Sequence, residues 1–63
     1  MNWTSKQLND VEESVAILSQ ATGLLEKEIV DVIVDGLAMK YKGKIPANFL
    51  DLIDELRATF DAY

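Results

Sequence analysis

The sequence predicts an all-α fold of three short amphipathic helices, over about residues 5–21, 25–42 and 48–62, in a single helical domain spanning 1–63. Three observations carry this. Between Val15 and Leu37 an apolar-periodic stretch halts at Ala21-Thr22-Gly23, and a more hydrophobic one begins almost at once. A third stretch repeats Phe49, Ile53, Leu56, Phe60 and Tyr63 at alternating spacings of four and three, one face of a helix. Finally, Lys42-Gly43-Lys44-Ile45-Pro46 separates the second stretch from the third, with Gly to end a helix and Pro unable to continue one.

The first helix is announced by Thr4-Ser5-Lys6-Gln7, a hydroxyl at the N-cap with Gln three residues on, just before Leu8, Val11, Val15 and Leu18. Trp3, Ile17 and Ala21 are expected to widen its apolar side. Gly23 fits the residue after the helix, where a left-handed backbone carries no Cβ penalty.

The second segment could be a strand on composition, since Ile29, Val30, Val32, Ile33 and Val34 are all β-branched. The acidic residues decide for a helix. At 100° per residue Glu28, Asp31 and Asp35 share one narrow sector, whereas on a strand Asp31 and Asp35 would lie on the face of Ile29 and Ile33. Glu26 and Glu28 near its start and Lys40 and Lys42 near its end match the helix dipole. Apolar residues cover more than half its circumference, so it is expected to be the central element and to need more than one neighbour. Asn48 is expected to cap the third helix, with Asp51 at its N3 position.

A chain of 63 residues allows one domain, which buries only about 60% of its unfolded surface. It contains no cysteine and no histidine, so it has neither disulfides nor thiolate or imidazole metal ligands to supplement the core. Self-association remains, and a homodimer through helix 2 is expected, with Val30, Val34 and Tyr41 as the contact edge. With 49% hydrophobic residues and four Gly plus Pro, the chain is too apolar for a disordered tail.

No metal site, cofactor or catalytic group is expected. Asp51, Asp54 and Glu55 sit on a regular helix that splays carboxylates outward instead of converging them on a cation. Thr22 to Lys27 opens a helix but lacks phosphate-loop spacing. Without His, Cys or a buried-looking Lys or Glu, nothing offers acid-base or nucleophilic catalysis, so the chain is not expected to be an enzyme. The apolar run Ile29–Met39 is too short to span a membrane and is broken by Asp31 and Asp35. No charged-then-apolar leader opens the sequence, and a cytoplasmic location is expected.

The net charge of -5 disfavours nucleic acid and anionic membrane and favours a partner protein with a basic surface. Asp51, Asp54 and Glu55, away from the helix 3 seam, are the candidate contact residues for it. The leading expectation is therefore a small acidic protein-interaction module: an inhibitor, adaptor or regulator. The only basic cluster, Lys40-Tyr41-Lys42-Gly43-Lys44, reads as lysines complementing a helix C-terminus, with an anion-binding role as the alternative.

Residues 15–41, through Leu18-Ser19-Gln20-Ala21-Thr22-Gly23, Glu28-Ile29-Val30 and Ile33 to Leu37, resemble helix A, turn and helix B of ribbon-helix-helix regulators of the MetJ, Arc and CopG type. The resemblance implies a DNA-binding regulator or antitoxin. Asn2, Thr4 and Lys6 would then face bases from an intersubunit ribbon, and Gly23 to Leu25 would approach phosphate. The chain departs from that pattern at Leu24 and Leu25, where small hydroxyl or basic residues belong. Helical residues 2–7 would remove the ribbon.

Overall fold

A computed structural model describes residues 3–61. It contains α1 (Ser5–Thr22), α2 (Glu26–Lys40) and α3 (Ala47–Phe60), and no strand occurs among the described residues. The fold is all-α, as the periodicities predict, and Ile29 to Val34 are helical despite their β-branched side chains.

Each helix starts and stops for a local reason. Gln7 N–H donates to Thr4 Oγ1 at 3.1 Å while Thr4 N–H donates to Gln7 Oε1 at 2.9 Å, the reciprocal capping box that fixes the first turn of α1. Gly23, at φ 77°, ends α1 and donates its N–H to Ser19 O at 2.9 Å. The turn is then stitched by side chains: Ser19 Oγ donates to Leu24 O, and Thr22 Oγ1 donates to Leu18 O and accepts from Leu24 N–H. Leu25 is the N-cap of α2 and offers no side-chain cap.

The far end of α2 differs from expectation. The helix stops at Lys40, because the chain turns left-handed at Lys42 (φ 53°) as well as at Gly43 (φ 82°). Gly43 N–H reaches back to Ala38 O at 2.8 Å and Lys42 N–H to Met39 O at 3.4 Å, a Schellman closure whose left-handed residue is a lysine. The expected cap at Asn48 is also corrected. Pro46 O already accepts from Phe49 and Leu50 N–H at 3.0 and 3.1 Å, so Pro46 is the N-cap and Asn48 lies inside the helix. Asp51 consequently falls beyond the first turn, which holds no acidic residue.

The short connections hold successive helices antiparallel, and α2 packs against both neighbours more extensively than α1 and α3 pack against each other. The core consists of Val15 from α1, Ile29 and Val30 from α2, and Leu52, Ile53, Leu56 and Phe60 from α3. Trp3, Leu8, Val11, Ile33, Val34 and Phe49 pack around it. The Trp3 indole N–H donates to Asn48 O at 2.6 Å and its ring lies 6.1 Å from Phe49, tying the start of α1 to the start of α3. Arg57 bridges α3 to α2 through Asp31 at 3.0 Å, and Thr59 Oγ1 donates to Glu12 Oε1, joining α3 to α1.

The apolar face expected for α1 is only partly covered, since Leu18 of its seam is exposed, while α2 keeps apolar surface beyond its neighbours. Ile17 and Ala21 are exposed, as are Leu25, Val32 and Met39, so the apolar surface of both helices is wider than the core that covers it.

Candidate functional site

The acidic residues proposed from sequence lie on the outside of α3. Asp51 and Asp54 are exposed and Glu55 is half-buried. At 100° per residue, Asp51 and Asp54 sit on the side opposite the fully buried Leu56, with Ala47 and Ala58 between them. None of the three forms an ion pair among the described residues, so their charge is free to act on solvent or on a partner. Successive side chains diverge on a straight helix, and no group of three acidic residues converges as a metal site among the described residues.

The edge predicted for a second copy is occupied by the chain itself. Val30 is 1% exposed and fully enclosed in the core, so it presents no surface to another molecule. Val34 is half-buried against the same core, and Tyr41 packs beside Phe49 at 6.0 Å between centroids. This corrects the assignment at Val30, while Val34 and Tyr41 keep part of their surface in solvent. The sequence marks these positions as apolar but does not say which neighbour covers each; beside Tyr41 it is Phe49 of α3.

Of the residues placed in a ribbon by the resemblance, Asn2 lies outside the described residues. Thr4 is the α1 N-cap and Lys6 belongs to the first turn of α1, so Ser5 to Gln7 are helical instead of extended. The reciprocal capping bonds between Thr4 and Gln7 are the physical cause. Gly23 and Leu25 remain at the exposed start of α2, as a phosphate contact would require, but Glu26 and Glu28 bring negative charge to its first turn.

Lys40, Lys42 and Lys44 are exposed at the end of α2 and in the turn after it. Lys40 Nζ stands 5.7 Å from the Tyr41 ring, and Tyr41, Phe49 and Trp3 form a continuous aromatic row beneath. The row is half-buried, with the indole N–H committed to Asn48, so it serves as a structural clasp at this end of the bundle.

A more distinctive surface, missed in the sequence, runs along α2. Leu25, Val32, Gly36 and Met39 fall within a sector of about 60° at 100° per residue. Leu25 is 57%, Val32 60% and Met39 81% exposed, and Gly36 faces open space. On one side this stripe borders the acidic sector of Glu28, Asp31 and Asp35; on the other it borders the core-facing arc that starts at Ile29. At its N-terminal end a cavity of about 290 Å³ is lined by Leu25, Glu26, Lys27 and Phe60. The available signal was angular: Val32 and Met39 lie nearer to Glu28 than to Val30 on the helical wheel, so a core that buries Val30 leaves them outside.

No helix among the described residues is long and apolar enough to cross a membrane. Comparison of the chain with protein-family models, with curated proteins and with solved structures finds no match.

Proposed function

We propose that this chain is a small acidic protein-interaction module of the cytoplasm, an inhibitor, adaptor or regulator that acts by holding a partner protein with a basic surface and performs no chemistry itself. The observation that carries the reading is the exposed apolar stripe on α2 beside an acidic sector. Large apolar side chains exposed along one helix face and rimmed by polar residues are a mark of a protein-binding face. The net charge of -5 and Asp51, Asp54 and Glu55 on α3, which form no ion pair among the described residues, support a basic partner by steering its approach.

Self-association through α2 draws on the same surface. A homodimer joined antiparallel along the stripe, with its two-fold axis near the middle, would bring Glu28 of one copy beside Asp35 of the other, so charge favours a basic partner over a second copy. The alternative DNA-binding reading would need an extended segment near Lys6, where the chain is helical.

The test is affinity recovery from the source cells together with a mobility-shift assay. The reading expects a defined protein recovered at constant stoichiometry, released as salt is raised, and no shift of duplex DNA at about 0.15 M salt. A sequence-specific duplex shift at submicromolar protein, abolished by Lys6→Ala, would replace it with the DNA-binding reading.

A further inference from the structure

We infer that the α2 stripe is the seat of a basic amphipathic helix supplied by the partner, an inference that rests on the protein-binding reading above. From Leu25 to Met39 the stripe is about 21 Å long at 1.5 Å rise per residue, enough for roughly four turns of a second helix. Its exposed side chains are large and flexible at the ends, Leu25 and Met39, while Gly36 removes any side chain between Val32 and Met39. That gap has nothing within 4 Å of where a Cβ would stand, so a partner side chain can lie against the α2 backbone there. The open recess lined by Leu25, Glu26, Lys27 and Phe60 offers a second place for a partner side chain at the other end. Recesses spaced along a helix suit a partner that presents anchors at helical intervals of three, four and seven residues.

Charge selects the kind of helix. Along the outer edge of the stripe Glu28, Asp31 and Asp35 recur at three and four residues, all exposed, and among the described residues only Asp31 is paired, with Arg57 at 3.0 Å. Lysines or arginines flanking the partner's apolar face would meet Glu28 and Asp35 directly. The nearest cation on the opposite edge, Lys40, leans toward the Tyr41 ring. A second copy of this chain presents the same acidic edge and an acidic partner helix would be repelled, which leaves the basic amphipathic helix as the complementary occupant.

The probe is a synthetic leucine-lysine amphipathic peptide of about 18 residues, titrated into isotope-labelled protein and followed by amide chemical shifts. The expected shifts centre on Leu25, Val32, Gly36 and Met39. Val32→Glu should weaken binding about tenfold or more, as should Glu28→Lys combined with Asp35→Lys, with circular dichroism unchanged in both. A peptide of the same composition with scrambled order should bind at least about tenfold more weakly, separating a helix seat from simple charge attraction. Shifts confined to Asp51, Asp54 and Glu55 would overturn this seat while sparing the protein-binding reading. Absence of shifts in the folded protein, or a free protein whose stripe amides move on dilution because a second copy covers them, would overturn it as well. The recovery experiment above decides the broader reading independently.

Discussion

Val30 and Val32 stand two residues apart on α2, yet the first is enclosed by the core and the second is mostly in solvent. The same contrast separates Ile29 from Leu25 and Val34 from Met39. Composition does not distinguish these residues; angle does. An arc of about 140°, from Ile29 through Ile33 and Leu37 to Val30 and Val34, faces α1 and α3, and the adjacent stripe has nothing over it. A helix whose apolar arc exceeds what its neighbours cover holds surface in reserve, and here that reserve is next to Glu28 and Asp35 instead of next to cations. Burial makes one side of α2 a matter of stability, and exposure leaves the other open to the recognition proposed above.

The strongest test of the stability side lies across from it on α3. Phe60 is buried and closes the core beside the cavity at the start of α2. Truncating a buried Phe costs about 3 to 5 kcal/mol, comparable with the whole stability of a small domain. Phe60→Ala should therefore abolish or nearly abolish the helical circular dichroism signal. A variant with an unchanged melting temperature would show that α3 does not belong to the core.

A smaller effect is expected at the clasp. Trp3→Phe keeps a ring against Phe49 but removes the hydrogen bond to Asn48 O. Such a bond contributes about 0.5 to 1.5 kcal/mol net, so chemical denaturation should show a loss in that range. Lys42→Gly should act in the opposite direction by about 1 kcal/mol or less, since glycine enters the left-handed conformation at φ 53° without strain. A domain of this size would gain several degrees in thermal midpoint. Destabilisation by that substitution would mean that the end of α2 does not close through Lys42. Arg57→Ala, which removes an exposed bridge to Asp31, should cost at most about 1 kcal/mol in the same denaturation measurement.

Three helices were legible because their punctuation is local: the Thr4 and Gln7 capping pair, Gly23, and the Gly43 to Pro46 break. Their apolar periods placed Val15, Ile29, Ile53, Leu56 and Phe60 on core-facing seams correctly, whereas Val30, expected at a dimer edge, is enclosed in the core. Leu52 escaped because it lies at the border of the seam traced through Phe49, Ile53 and Leu56, and only packing decides a border residue. Asn48 was misread as a cap because its side chain is suited to that role, whereas Pro46 starts the helix through its carbonyl. The bond from Trp3 to Asn48 spans 45 residues, and no local pattern encodes it. The acidic face of α3 could be read from spacing alone, but the α2 stripe could not. The wheel groups Val32 and Met39 beside Glu28, but that this sector is the uncovered one depends on where α1 and α3 come to rest.

The most direct test of the central claim compares two matched substitutions on α2, Val30→Asp and Val32→Asp, by thermal circular dichroism at equal protein concentration. Aspartate at Val30 would bury an unpaired charge at a cost of several kcal/mol, and the account predicts an unfolded protein. Aspartate at Val32 should change stability by only about 0.5 kcal/mol, leaving a cooperative transition near that of the parent. Comparable destabilisation by both, or a Val30→Asp protein that melts normally, would contradict the division of α2 into a covered side and an open one.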